Sequence, residues 1–182
     1  MERVLLLPIA GVDRLLLTKL SGRLSDLLHV PVSVDPVSLD PVTAFEVGRS
    51  QYNSTAILVE ILKRQSGMRT TLLGVCNVDL FVPVLTYVFG EAQLDGVAAV
   101  LSTFRLDDRV YGLPPNQRLF EERSVKEAMH EIGHTLGLYH CHDHRCVMHS
   151  STVVEEIDLK GERFCLECEH QALGTHLPPS RE

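Results

Sequence analysis

Residues 130–140 read HEIGHTLGLYH, and this stretch indicates both the chemistry and the fold of the chain. The HExxH pattern places His130 and His134 about 40° apart around a helix axis, so both imidazoles point the same way. Two neutral imidazoles at this spacing can bind one zinc ion. Glu131 follows the first histidine, where it can act as general base toward a water at the metal.

A third histidine, His140, extends the pattern to HExxHxxGxxH. In an uninterrupted helix it would lie about 9 Å further along the axis than His134, too far to share the metal. The helix must therefore stop, and Gly137 can adopt the left-handed conformation that such a stop usually needs. Three histidines leave a fourth position for water, as in a catalytic zinc site. The alternative is a set of solvated histidines at a helix end.

Four of the five cysteines follow this stretch in two close pairs, Cys141 with Cys146 and Cys165 with Cys168. Spacings of CxxxxC and CxxC can together close a tetrahedral zinc site made of thiolates. A disulfide pair is the alternative, which a reducing compartment disfavours. The fifth cysteine, Cys76, ends a predicted strand and is expected to be a small buried side chain.

The combined pattern HExxHxxGxxHCx4CxM, followed by CxxC, resembles the archaemetzincin family of the metzincin clan. The segments GRSQYNSTAIL (48–58) and VFGEAQLDGVAAVLSTFRL (88–106) are also similar to that family. The resemblance implies a zinc peptidase with one catalytic and one structural zinc, two ions per chain, and short-peptide or aminopeptidase substrates. Met148 resembles the Met-turn beneath the metal. Ser150 stands where some metzincins have a tyrosine, so no tyrosine ligand is expected.

Three further histidines, His142, His144 and His149, lie in the same loop as the cysteines. We interpret them as surface residues. The alternative is that they compete for metal.

The order of predicted elements indicates an α/β fold with a mixed, mostly parallel twisted sheet covered by helices. We predict one catalytic domain in two parts: residues 1–137 with the active-site helix, and a small irregular zinc-bound subdomain, 138–182. The predicted strands are 4–10, 32–34, 70–75, 84–89 and 97–106. The predicted helices are 14–29, 49–65, 119–136 and 164–173, with Ser66-Gly67 ending the second and 174–182 forming a loose tail.

Residues 97–106 precede the active-site helix and have two interpretations. In metzincins the strand at this position lies along the cleft edge and pairs with extended substrate. We favour that edge position over an ordinary buried strand.

Composition and charge limit the possible functions. Of 182 residues, 45% are hydrophobic and 23% charged, which is typical of a globular protein of one domain. The formal net charge of −7 disfavours a nucleic-acid face or an anionic membrane as partner. No run approaches the roughly 20 apolar residues that span a bilayer. We expect a monomer that acts on a peptide substrate and binds neither nucleic acid nor membrane.

The N-terminal segment MERVLLLPIAG is interpreted as a buried strand rather than a signal peptide, because its apolar run is short and contains Pro8. We therefore expect a cytoplasmic protein. Two rival functions remain: a zinc-stabilised binding or scaffold protein with a silent hydrolase site, and a nucleic-acid module built on the cysteine site.

Overall fold

A computed structural model describes residues 1–65 and 69–174. The strands in chain order are β1 Arg3–Pro8, β2 Val32–Val34, β3 Phe45–Glu46, β4 Gln51–Asn53, β5 Thr70–Cys76, β6 Leu80–Phe81, β7 Gly90–Ala92 and β8 Ala98–Ser102. The α-helices are α1 Arg14–Leu28, α2 Ser54–Leu62, α3 Gln117–Thr135, α4 Val154–Leu159 and α5 Leu166–Ala172.

The main sheet has five strands in the order β2-β1-β5-β8-β7, and a smaller sheet has the order β3-β4-β6. In the main sheet β2, β1, β5 and β8 run parallel, while β7 is antiparallel to β8. The predicted α/β class with a mostly parallel sheet is confirmed. Parallel strands need long crossover connections, which are usually helical. Helix α1 connects β1 to β2 and α2 lies between β2 and β5, whereas β5 is connected to β8 through β6 and β7 without an α-helix.

Helices cover both faces of the main sheet, so alternate residues of its central strands enter different cores. Leu73 and Val75 of β5 pack in the core that also holds α1 and α3. Leu72 and Cys76, on the opposite face, pack in the core that holds α2. All residues of β5 and β8 are buried, as expected for strands covered on both sides. The sheet is therefore a rigid support for α3.

The predicted second helix begins five residues too early. Residues 51–53 form β4, which pairs with both β3 and β6, and the Asn53 side chain accepts a hydrogen bond from the Ala56 backbone N–H. The helix thus begins at Ser54, after a capping residue, rather than at Arg49. The predicted end of this helix at Ser66-Gly67, and residues 175–182 of the predicted tail, lie outside the described residues.

Two other sequence predictions differ from the structure. The predicted strand at 84–89 is absent from the described structure; the chain there forms turns between β6 and β7, with one isolated bridge between Val88 and Leu80. The short helix α4 lies in the C-terminal segment that was predicted to be irregular. Both errors concern short segments, in which tertiary packing decides the secondary structure more than local periodicity does.

The favoured edge position of residues 97–106 is wrong. The strand β8 in this segment lies between β5 and β7 and is buried throughout, whereas β7 forms the edge. Residues 104–106 leave the sheet as a short 3-10 helix. The edge next to the active-site helix is therefore supplied by Gly90–Ala92. Among the described helices, none is both long enough and apolar enough to cross a membrane.

Candidate active site and metal centres

Helix α3 carries both histidines of the HExxH pattern, and local hydrogen bonds define where it begins and ends. It begins after Asn116, whose side chain accepts a hydrogen bond from the Leu119 N–H, and its last residue is Thr135. Gly137 then has φ +85°, the left-handed conformation that ends helices. The chain turns back there, and the Leu138 N–H donates to the Gly133 carbonyl at 3.1 Å.

The turn brings three imidazoles together. The Nε2 atoms of His130 and His134 are 3.1 Å apart. The ring of His140 lies with its centroid 5.3 Å from that of His130 and 5.1 Å from that of His134. One ring nitrogen from each of the three falls within 4.8 Å of the other two. Nitrogens at about 2.0–2.1 Å from a tetrahedral zinc are about 3.3 Å apart, so this donor set fits one zinc ion.

Backbone carbonyls fix the orientation of the two helical histidines. The Val147 carbonyl lies 2.8 Å from His130 Nδ1, and the Leu138 carbonyl lies 2.7 Å from His134 Nδ1. Because a carbonyl only accepts, each Nδ1 carries the proton and each Nε2 keeps its lone pair. Burial lowers the pKa of both rings, and that of His130 falls well below its usual range. Neutral rings with free Nε2 atoms are what a metal requires.

Glu131 lies in the same cleft with only 5% of its surface exposed. Burial raises the pKa of its carboxyl well above the usual range, the neighbouring Glu127 carboxylate raises it further, and Lys160 opposes both. A carboxylate with a raised pKa is a better proton acceptor near neutral pH than an exposed one. An alanine Cβ at Gly90 would lie 2.5 Å from Glu131 Oε1, so the glycine leaves the room that this carboxylate occupies.

The cleft in front of these residues has a volume of about 560 Å³. It is lined by three groups of residues: 85–92 with Leu94, the α3 residues of the HExxH region with His140, and residues 150–152. Leu85, Phe89 and Leu94 contribute apolar side chains to the first of these groups. The cleft can therefore take an extended chain with apolar side chains.

Met148 lies fully buried beneath the helix. An alanine Cβ at Gly133 would fall 2.3 Å from Met148 Sδ, so only a glycine at that position lets the methionine approach α3 this closely. The sequence signal for Met148 was its distance from His140, and the structure places it against the turn of α3 between the two histidines.

The four clustered cysteines form a second donor set. One Sγ from each of Cys141, Cys146, Cys165 and Cys168 lies within 4.8 Å of the others, and Cys141 Sγ is 3.8 Å from Cys165 Sγ. Thiolates at about 2.3 Å from a tetrahedral zinc are about 3.8 Å apart. All are free thiols, as is buried Cys76, so the disulfide alternative finds no support among the described residues.

The surroundings of the thiols also suit a cation. The Cys165 N–H donates to Cys146 Sγ at 3.3 Å, and the Asp143 N–H donates to Cys141 Sγ at 3.4 Å. Burial raises the pKa of the Cys146 and Cys168 thiols, so these two would need a nearby cation to be held as thiolates. Four thiolates this close repel one another unless a bound cation compensates them.

Comparisons with known proteins agree with this geometry. The sequence matches the model of peptidase family M54 over residues 44–173. An archaemetzincin from Methanocaldococcus jannaschii is 38% identical over 166 residues, covering 91% of this chain and 90% of the relative. The chain belongs to the archaemetzincin family.

Solved structures that are similar to this chain have the same fold. The archaemetzincin from Archaeoglobus fulgidus, crystallised with malonate, superposes with a TM-score of 0.80 at 37% identity, covering 93% of this chain and 99% of the other. A zinc-dependent peptidase from Methanocorpusculum labreanum superposes with a TM-score of 0.85 at 28% identity, with the same coverage.

This archaemetzincin chain also has a buried ion pair that the sequence did not predict. Lys160 Nζ lies 2.8 Å from Glu127 Oε1, and the two side chains are 0% and 4% exposed. The Lys160 ammonium also donates to the His149 carbonyl at 3.2 Å and lies 3.5 Å from His130 Nδ1. The sequence indicates only that Glu127 lies one helical turn before Glu131. Its partner Lys160 lies 33 positions further along the chain, on a segment predicted to be irregular, so local patterns do not connect the two.

The remaining histidines of the cysteine loop have different surroundings. His142 and His144 are exposed, and His149 is partly buried. His144 Nδ1 lies 3.2 Å from His149 Nε2, whereas no such contact is found for His142 among the described residues. None of them joins the two donor sets described above.

Proposed function

We propose that this chain is a zinc-dependent peptidase in which His130, His134 and His140 bind the catalytic zinc and Glu131 is the general base. One observation carries the proposal: nitrogens of three imidazoles converge beside a buried carboxylate, in a cleft lined by β7, whose outer edge no described strand pairs with. The family membership supports the same conclusion.

The residues around the site divide the chemistry between them. Zinc in this position supplies Lewis acidity, which polarises a peptide carbonyl and lowers the pKa of water. Glu131 accepts the proton that the attacking water loses and passes it to the nitrogen of the leaving amine. The Val147 and Leu138 carbonyls hold His130 and His134 in the tautomer that presents Nε2 to the cleft.

The strand β7 is the element that can align the substrate. It pairs with β8 on one side, and no described strand pairs with its other side. Gly90, Glu91 and Ala92 line the cleft, so their backbone groups can pair with an extended peptide. The side chains of Leu85 and Leu94 at the rim favour peptides with apolar residues near the scissile bond.

We propose that the four cysteines bind a second, structural zinc. Cys141 directly follows His140, and its N–H donates to the Met148 carbonyl at 2.9 Å. A closed four-thiolate site has no open position for water, so its role is to fix this loop. It would thereby hold the third histidine and the Met-turn in place.

Turnover of a peptide panel tests the proposed peptidase activity. Cleavage that stops with a chelator and returns with zinc supports it. A protein that holds both ions and cleaves none of the panel would instead be the zinc-stabilised binding protein considered above. Matched peptides with free and acetylated N-termini separate the two modes of cleavage: an aminopeptidase requires the free amine, whereas an endopeptidase cleaves both.

A further inference from the structure

A pair of histidines outside both donor sets repeats the geometry of the HExxH pair. His144 Nδ1 and His149 Nε2 are 3.2 Å apart, against 3.1 Å between the Nε2 atoms of His130 and His134. The two rings meet nearly edge to face, with centroids 4.6 Å apart, as do those of the helical pair at 4.7 Å.

The tautomer of His149 is fixed in the same way as that of the helical histidines. Its Nδ1 lies 2.9 Å from the Cys141 carbonyl, which can only accept. The Nδ1 therefore carries the proton, and Nε2 directs its lone pair toward His144. The His149 backbone is also held at both ends, because its N–H donates to the Cys146 carbonyl and its own carbonyl accepts from Lys160. One ligand of the pair is thus preorganised.

We propose that His144 and His149 form a third cation site, which binds an exchangeable borderline transition ion such as Zn²⁺ or Ni²⁺. Imidazole nitrogens suit such ions, whereas Mg²⁺ and Ca²⁺ prefer oxygen ligands. His144 is exposed, so an ion can enter from solvent.

The site is weaker than the other two because the chain supplies few ligands. Asp143 precedes His144, but its Oδ1 accepts a hydrogen bond from the Arg145 N–H. The ion would then have two imidazole ligands from the protein and solvent at its other positions. The sites described above have three or four candidate protein ligands. Binding would link residues 144 and 149, which lie on either side of Cys146 and Met148 in the same loop.

Counting bound ions tests the proposal without any measurement of peptide hydrolysis. The protein is purified without chelator, dialysed to remove loosely held metal, and then equilibrated with increasing Zn²⁺ while bound zinc is measured by mass spectrometry. We expect the wild type to take up one weak equivalent beyond its tightly held ions, and His144→Ala to lose that equivalent alone. His142→Ala is the matched control in the same loop and should behave as the wild type.

Two results would overturn the proposal. Equal zinc uptake by the wild type and His144→Ala would mean that the two rings form only an imidazole–imidazole hydrogen bond. Loss of the weak equivalent in His142→Ala, with its retention in His144→Ala, would assign the ion to another residue. His144 is exposed, so His144→Ala is expected to fold. The number of tightly held ions in each variant shows whether the other two sites are intact.

Discussion

Glu131 shows how strongly single residues are constrained by their neighbours in this cleft. Its carboxylate is buried against Gly90 on the edge strand and shares the helix face with Glu127. His130, one residue earlier, presents Nε2 to the same cleft because the Val147 carbonyl holds its other nitrogen. The two adjacent residues therefore have different surroundings, which fits the separate roles proposed for them: His130 as a metal ligand and Glu131 as a proton acceptor.

Replacement of Glu131 should separate these roles. Glu131→Ala is expected to keep both zinc ions and the fold while turnover falls by about 10²–10⁴-fold, the usual contribution of a positioned general base. Zinc content and peptide hydrolysis are measured together. Glu122→Gln, at a partly exposed position on the same helix, is the control. A fully active Glu131→Ala protein would exclude the residue as the base.

Replacement of His134 should have the opposite effect on metal content. His134→Ala removes one of three proposed ligands, so the protein is expected to lose the catalytic ion and keep the thiolate-bound one. Elemental analysis should then give one ion per chain instead of two. Retention of two tightly bound ions would contradict the three-histidine assignment.

At the scale of elements, α3 is held by contacts distant in sequence. The ion pair between Lys160 and Glu127 joins the end of α4 to α3, while the same ammonium donates a hydrogen bond to the carbonyl of His149, the residue after Met148. A buried charge left without its partner is costly, whereas replacing both partners with apolar side chains is often neutral.

Lys160→Met is therefore expected to lower the free energy of unfolding by about 3–5 kcal/mol. The double variant Lys160→Met, Glu127→Leu should recover most of this loss because no charge stays buried alone. Denaturant unfolding measures both. Lys63→Met, which breaks an exposed pair with Glu60 on α2, is the control and should cost less than about 1 kcal/mol. If Lys160→Met destabilises the protein no more than Lys63→Met does, the buried pair does not stabilise the packing of α3.

The cysteine loop should couple one metal centre to the other. Cys165→Ser removes a proposed thiolate ligand, and metal binding at a closed site contributes directly to folding. We expect a lower Tm and weaker zinc binding at His140, which precedes Cys141 in the same loop. Thermal melts and zinc content provide the check, with buried Cys76→Ser distinguishing loss of a ligand from loss of a buried thiol. A Cys165→Ser protein that melts like the wild type and keeps its zinc would refute the coupling.

Those elements also show what the sequence could predict. The helix α3 and the approach of its two histidines to His140 were predictable because the HExxH spacing and the turn at Gly137 act within a few residues of one another. The edge strand β7 was not, since three residues carry no periodicity and their position depends on pairing with β8. Lys160 was missed for the same reason: its burial follows from the packing of α4 on α3, which local patterns do not encode.

For the whole molecule, two donor sets in one chain predict a definite metal content. We expect two tightly bound zinc ions per chain after purification without chelator, motivated by the separate histidine and cysteine clusters. Mild chelation should remove the histidine-bound ion first, because four thiolates bind zinc more tightly than three imidazoles with an open position. One ion or fewer in freshly purified protein would contradict the two-site arrangement.

The position of the donor sets along the chain has a consequence for biosynthesis. All seven proposed zinc ligands lie between residues 130 and 168, after every strand of the main sheet. During translation the strands and their crossover helices emerge from the ribosome before either metal centre is complete. The nascent protein can therefore assemble its scaffold first and acquire metal last, so cellular zinc supply would govern maturation of the finished chain rather than formation of the sheet.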